Sequence, residues 1–341
     1  VLAFGQKVDT FLFGMDMDHY KTLEVDPKAS PEVVKAAYLA LVKKYSDDER
    51  RLRRLNAAKS VLFDEELREE HDHKSVRKGK VVGSYRIMDK IAEGGFGITY
   101  KAEHIGTGCI VCVKHASNIS ASDEALLLSE ARSCWDLRHW GIPAMRDILT
   151  MPDKSLALVM SYVPGPTLAE ILEKKPYRDG LDAEHVAWIT DRCLNILKYL
   201  HFSGVVHGDV KPQNIIVQPG DHTVVLVDYG LSAVKPGRKD TAKGFTPMFA
   251  APEQESGGVL LPQSDFYSLA MTMIFALGGD IEHIKVPGET PDGMCGFIKR
   301  LIKREVLSRP DWKEEDLCDT FREIRESDFG RSYSSMKPLD I

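Results

Sequence analysis

The chain lacks any apolar run approaching the roughly 18 residues that a membrane-spanning helix requires. Its longest, Leu156–Val163 and Leu269–Leu277, have the length of buried core segments. It also lacks an excess of positive charge. The 45 Lys and Arg residues stand against 51 Asp and Glu, and a net charge of −6 argues against nonspecific nucleic-acid binding. The basic run Arg50–Arg54 is too short to change this and reads as a solvated helix face. Cysteines are sparse and unpatterned: Cys109, Cys112, Cys134, Cys193, Cys295 and Cys318. Cys109 and Cys112 form a lone C-x-x-C in a strand-like run, where positions three apart face opposite sides, so neither a zinc site nor a redox pair is expected. Such usage fits a reducing, cytoplasmic setting. Residues 1–14 have no basic n-region or long apolar block, so no signal peptide is expected. Residues 1–17 are read as an N-terminal extension, and neither internal repeats nor low-complexity tracts interrupt the rest.

What is present is an ordinary folded composition, 43% hydrophobic and 28% charged, over 341 residues, enough for two or three domains. Residues 18–72 read as all-helical. Ser30-Pro31-Glu32 is a helix start, with serine as cap and proline in the first turn. Val33, Val34, Ala37, Tyr38, Leu41 and Tyr45 follow at helical spacing, and Leu52, Leu55, Ala58 and Leu62 outline a second helix. Residues 73–83 are charged and Gly-containing and read as a linker. From Tyr85 short β-like runs appear, at 85–91, 98–104, 110–115 and 156–162, with a helical block at 122–137. After Leu168 the chain is mostly helical, broken by β-like runs at 215–217 and 224–227.

Four segments carry chemistry. Ala92–Ala102 (A-E-G-G-F-G-I-T-Y-K-A) predicts a glycine-rich hairpin, whose backbone N–H groups could approach phosphate oxygens. Alone it is as readily a structural turn, and with no helix after it a dinucleotide site is disfavoured. Lys114 ends an apolar strand and Glu130 lies on the next helix, where it could hold the ammonium group; without context both read as surface residues. Val205–Val217 (V-V-H-G-D-V-K-P-Q-N-I-I-V) is the most specific. Asp209 can accept a proton from an attacking hydroxyl, Lys211 can neutralise a transferring phosphate, and Asn214 can ligate magnesium. Asp228 leaves a buried strand with Gly230 two positions later, which suits a second magnesium ligand, although an isolated D-x-G is usually a turn.

In order and spacing, residues from about 83 to 315 resemble the eukaryotic-type Ser/Thr protein kinases. The resemblance implies an α+β, bilobal fold, with a β-rich N-lobe at 84–163, an α-rich C-lobe at 164–320 and a tail at 321–341. It implies ATP with Mg2+ (or Mn2+) as cofactors and a protein substrate. By it, Gly94 and Gly97 belong to the glycine-rich loop, whose first glycine is here Ala92, and Ile91, Thr99, Cys112 and Ile216 line the nucleotide. Lys114 contacts phosphates and pairs with Glu130, Met160 is the gatekeeper, and Ser161 and Val163 belong to the hinge. Asp209, Lys211 and Asn214 form the catalytic loop, with Asn214 and Asp228 as metal ligands. Thr246–Glu253 resembles the end of the activation segment; Asp265 should anchor the large lobe and Arg309 should pair with Glu253.

The match has departures. Gly208 stands where the family usually has an arginine that binds a phosphorylated activation loop, which implies an enzyme not switched on by that route, although Thr241 is a candidate phosphosite. An H-G-D also occurs in small-molecule kinases, but Lys211 and Thr246–Glu253 favour a protein substrate. The stretch after Ala276 is short where substrate docking usually occurs. The alternative reading is a scaffold, a pseudokinase that binds nucleotide without turnover. Residues 18–72 resemble a J domain in Tyr20–Tyr38 and Leu55–Leu62, but its H-P-D tripeptide is reduced to Ser46-Asp47-Asp48. The resemblance therefore implies a docking or regulatory module, acting within the chain or on a protein partner, rather than a co-chaperone.

Overall fold

The computed structural model describes residues 19–26, 29–46, 48–64, 79–94, 97–116, 121–151, 154–237, 242–330 and 339. Residues 1–17, Asp47 and Thr241, and most of the expected linker, lie outside them. The chain divides into two compact units, Val1–Arg77 and Lys78–Ile341.

In the first unit, α1 (His19–Thr22), α2 (Pro31–Lys44) and α3 (Glu49–Leu62) surround Tyr20, Leu23, Val34, Tyr38, Leu41, Leu55, Ala58 and Leu62. Pro31 opens α2, where its missing N–H costs no helical hydrogen bond. Ser30 occupies the cap position with extended backbone, but its side chain makes no capping bond, contrary to expectation. Asp48 does cap α3, accepting from the Arg51 N–H at 2.9 Å. Tyr38 joins the helices by donating to Asn56 Oδ1 at 2.7 Å.

The second unit begins with an antiparallel six-stranded sheet in the order β1-β2-β3-β4-β6-β5. The strands are β1 (Val81–Val82), β2 (Tyr85–Gly94), β3 (Gly97–His104), β4 (Ile110–His115), β5 (Met145–Thr150) and β6 (Leu156–Ser161). Val81 and Val82, expected in the linker, pair with Arg86 and Tyr85 and so belong to the sheet. Strand β5 was absent from the sequence expectation. Its buried and exposed positions do not alternate cleanly, and a register shift lies between Met145 and Asp147, because it is an edge strand bound on one side only. Helix α4 (Ala121–Cys134) packs on the sheet through Leu127 and Ala131 against Leu158.

The remainder is largely helical: α5 (Leu168–Glu173), α6 (Ala183–Phe202), α7 (Pro252–Glu255), α8 (Pro262–Ala276), α9 (Asp292–Leu301) and α10 (Leu317–Phe329). Two small antiparallel pairs carry the loops between α6 and α7: β7 (Val205–Val206) with β10 (Ala233–Val234), and β8 (Ile215–Gln218) with β9 (Thr223–Leu226). Helix α8 is buried nearly all round, as a helix at the centre of a large core must be. The expected tail at 321–341 needs correction. Phe321 and Arg325 are buried in α10, Phe321 packs on Phe297 at 4.7 Å, Arg325 lies 3.4 Å from Asp191 of α6, and Leu339 joins the same core. An amphipathic helix stops the core from ending at 320, and its apolar stripe was too short to mark it as core from sequence alone.

Candidate active site

Strand pairing collects one set of candidates. Thr99 lies opposite Lys114, Cys112 opposite Met160, and Gly94 opposite Gly97. Residues opposite each other, and residues two apart, share a face, so Gly94, Gly97, Thr99, Cys112, Lys114 and Met160 occupy the same side of the sheet. Ile91 lies at a register shift in β2 and is half-exposed. Gly97 has φ +136°, and a Cβ there would sit 2.1 Å from the His115 carbonyl oxygen, so only glycine lets β3 begin here. Ser161 is occupied by Ala144, donating its N–H to that carbonyl and accepting that N–H on Oγ, both at 2.9 Å. Val163 follows β6, and Ile216 reaches the same connection through a bridge to Thr167.

Lys114 is buried, and its ammonium group donates to Glu130 Oε2 and to Asp228 Oδ1, each at 2.7 Å. Burial alone would lower its pKa, but the carboxylates of Glu130 and then Asp228 reverse this and hold it above the usual lysine value. Burial pushes the Asp228 pKa upward, yet Lys114 outweighs it and keeps the carboxyl below the usual range. Glu130, fully enclosed, is raised by burial, with Lys114 opposing. The second Glu130 oxygen accepts the Tyr229 N–H at 3.3 Å, so α4 and the turn after β9 share one carboxylate. Asp228 itself has φ +66°, an uncommon backbone state for a residue with a side chain, sustained here by Lys114.

The second cluster is built on the loop between β7 and β8. Asp265, inaccessible to solvent in α8, accepts the N–H groups of His207 (2.8 Å) and Gly208 (2.7 Å). Gly208 has φ +77°, and a Cβ there would meet Leu260 Cδ2 at 2.8 Å and the Leu231 carbonyl at 2.9 Å. Asp209 then faces Lys211 at 2.7 Å, and Asn214 Nδ2 donates to Asp209 Oδ2 at 3.0 Å and to its carbonyl at 2.8 Å. That leaves the Asn214 amide oxygen as its remaining acceptor. Two further residues join the cluster; from sequence Thr246 marks only the start of the Thr246–Glu253 resemblance, and Gln254 carries no signal. The Thr246 hydroxyl donates to Asp209 Oδ1 at 2.6 Å and accepts from Lys211 Nζ at 2.8 Å. Buried Gln254 donates to the Gly208 carbonyl at 2.8 Å. A threonine or glutamine becomes informative only when its neighbour in space is known.

The arrangement can accept a proton at Asp209 from a hydroxyl placed where the Thr246 hydroxyl now lies, and offers cationic charge from Lys211 beside it and from Lys114 beside Asp228. Asn214 and Asp228 supply hard oxygen donors, which suit magnesium. That ion retains waters and phosphate oxygens and needs few protein ligands. Among the described residues no cluster of three His, Cys, Asp or Glu side chains points to a metal site of another kind. Arg309, as expected, pairs with Glu253 through two bonds of 2.7 and 2.8 Å.

A family model described as the protein kinase domain matches residues 85–314. Serine/threonine-protein kinase pkn3 of Myxococcus xanthus is 30% identical over 252 residues, covering 68% of this chain and 44% of that protein. Serine/threonine-protein kinase D of Synechocystis is 31% identical over 217 residues, covering 58% of this chain and 41% of that protein. Serine/threonine-protein kinase PknA of Mycobacterium tuberculosis is 28% identical over 251 residues, with shares of 67% and 57%. The chain thus spans about half the length of the curated relatives it matches.

Proposed function

The chain belongs to the protein kinase domain family, and on that premise we propose that it transfers the γ-phosphoryl group of ATP to a Ser or Thr hydroxyl of a protein. The observation that carries the proposal is the Lys114 ammonium held between Glu130 and Asp228, in the same unit as the Asp209, Lys211 and Asn214 cluster. The names of the relatives support the choice of Ser/Thr and of protein as substrate.

ATP, bound with Mg2+ or Mn2+, would supply the phosphoryl group, and the metal would supply positive charge against its phosphates. Lys114 would hold phosphate oxygens, with Glu130 fixing its direction; Asn214 and Asp228 would hold the metal. The face bearing Gly94, Gly97, Thr99, Cys112 and Met160, with Ile91, Ser161, Val163 and Ile216 beside it, would enclose the nucleotide. Asp209 would orient the substrate hydroxyl and take its proton. Asn214 holds that carboxylate in place, and Lys211 faces both it and Thr246, where it would offset charge on the group in transit. Positioning and charge supply most of the rate in such a reaction.

Gly208 supports a further part of the proposal, that activity does not depend on a phosphorylated activation segment. Leu260 and Leu231 crowd the space that a side chain there would enter. For the first unit we propose a J-like module with a docking or regulatory role; in it Asp48, the aspartate left from the tripeptide, serves as a helix cap. Six free cysteines support a reducing compartment such as the cytoplasm, and no described helix is long and apolar enough to cross a membrane.

Incorporation of radiolabelled phosphate from magnesium-ATP into a generic protein substrate tests the reading. Asp209→Asn should lower the rate by about a thousandfold, the effect of losing a positioned base. Equal background incorporation by the native chain and the variant would sink it. Thermal stabilisation by magnesium-ATP without incorporation would give the scaffold reading instead.

A further inference from the structure

Helix α4 carries Glu130 and packs through Leu127 and Ala131 against Leu158, with Cys134 at its C-terminal end in the large core. Polar contacts add to this packing, and they run down one flank toward the segment that follows Asp228. Glu130 accepts the Tyr229 N–H at 3.3 Å, and the Ser133 and Ser232 hydroxyls meet at 2.8 Å. Ser133 also donates to the Ser129 carbonyl at 2.9 Å, one helical turn away. The seam is closed by a residue from much further along the chain. Lys243 Nζ donates to Ser129 Oγ and to the Ser232 carbonyl, each at 2.6 Å. The neighbouring Ala242 is itself fixed, its N–H donating to the Gly258 carbonyl at 3.0 Å. The Lys243 stem is open to solvent, but its ammonium end is partly desolvated, and this burial holds its pKa below the usual lysine value against the opposing Glu130 carboxylate.

We propose that Lys243 is a positioning residue for the phosphoryl transfer: by tying Ser129 of α4 to the Ser232 carbonyl, it keeps Glu130 against Lys114. The proposal rests on the transfer reading given above for what Glu130 and Lys114 do. Its structural content, that an ammonium group from this segment helps hold α4 in place, stands apart from that reading. The contacts of Lys243 are with Ser129 of α4 and the Ser232 carbonyl, not with Lys114 or Asp228, so any effect on the Lys114 pair passes through these two elements. A charged donor is suited to the task because a hydrogen bond from an ionised group is about twice as strong as one between neutral groups.

The test uses the full chain and two readouts, amide hydrogen exchange across α4 and kcat/KM for magnesium-ATP. Lys243→Met should speed exchange in α4 relative to the core helix α6, and should lower kcat/KM about tenfold, the value of one charge-assisted bond. Lys243→Arg, which keeps the charge and the reach, should recover most of both. Ser129→Ala, a substitution that favours the helix itself, should reproduce part of the loss and add little to Lys243→Met. In a Glu130→Gln background, where the carboxylate has already gone, Lys243→Met should cost less than about twofold in kcat/KM. Unchanged exchange in α4 for Lys243→Met, or the same tenfold loss in both backgrounds, would overturn the proposal. A native chain that turns over no ATP, but whose α4 still loosens in Lys243→Met, would remove the transfer reading and leave the tie standing.

Discussion

Among the described residues between Tyr20 and Leu62, the buried side chains are tyrosine, leucine, valine and alanine alone. Between Lys78 and Ile341 burial extends to Lys114, Glu130, His207, Asp209, Asn214, Gln254, Asp265 and Arg309. Apolar burial has no direction, and one well-sized side chain serves nearly as well as another. A buried charge is tolerated only with partners placed around it, so each one records a geometry that the fold must maintain. The small unit is thus a structure held by packing, with its ionic groups left on its surface. The large unit commits stability to fixed charges, and these are the groups from which the proposed chemistry is assembled.

Substitutions of comparable size in the two units sharpen this contrast. Arg309 uses all five N–H donors: toward Glu253 twice, and toward the carbonyls of Lys303, Gln263 and Arg304. Removing them while keeping bulk, in Arg309→Met, leaves a partly buried Glu253 carboxylate without its cation. A loss of about 3–5 kcal/mol in the unfolding free energy of the large unit is expected, read by denaturant melts. In the small unit Leu55 is buried in the apolar cluster with Tyr20, Leu23 and Leu41. Leu55→Met, also a change of shape at constant bulk, should cost less than about 1.5 kcal/mol, read by hydrogen exchange at the α2 and α3 amides. Equal costs for the two would remove the distinction between a packed unit and a wired one.

How much of this was legible in the sequence follows the same division. Lys114 and Glu130 lie on different elements, yet their pairing was legible from motif order and spacing, and a bond of 2.7 Å joins them. The pairing of Arg309 with Glu253 was legible for the same reason. Strand β5 was not, since an edge strand has no second neighbour to impose a pattern on M-R-D-I-L-T. Helix α10 reads as a tail from sequence because its core-facing residues Phe321, Ile324, Arg325 and Phe329 form a stripe broken by charges. Thr246, Gln254 and Lys243 act through contacts with residues 37, 46 and 114 positions distant. No local pattern announces such a contact; only the folded backbone supplies the partner.

The smallest expected effect concerns His207, which stands between the two clusters of the large unit. It is inaccessible to solvent, and its ring lies 4.7 Å from that of Tyr229. Nδ1 accepts the Asp209 N–H at 3.2 Å, which leaves the proton on Nε2, where it faces the Val227 carbonyl at 3.2 Å. The ring is therefore neutral in the fold, and taking up a second proton at Nδ1 would break the bond to Asp209. Burial lowers its pKa, against the opposing pull of Asp265, Asp209 and Asp228. The unfolded chain, with a histidine pKa of about 6.5, binds a proton that the folded chain refuses. Stability from this group is thus complete above about pH 6.5 and declines as pH falls toward the folded value. Asp228 and Glu253, whose pKa values the fold lowers, keep their contributions through this window, because their unfolded values lie near 4. Partly buried His139, lowered by the same cause, adds a smaller slope of the same sign. Denaturant melts of the large unit at intervals from pH 7.5 to 5.5 should show falling stability in the native chain and a shallower fall in His207→Asn. Parallel curves would mean that His207 is protonated in the fold, and that the Asp209 N–H finds its acceptor elsewhere.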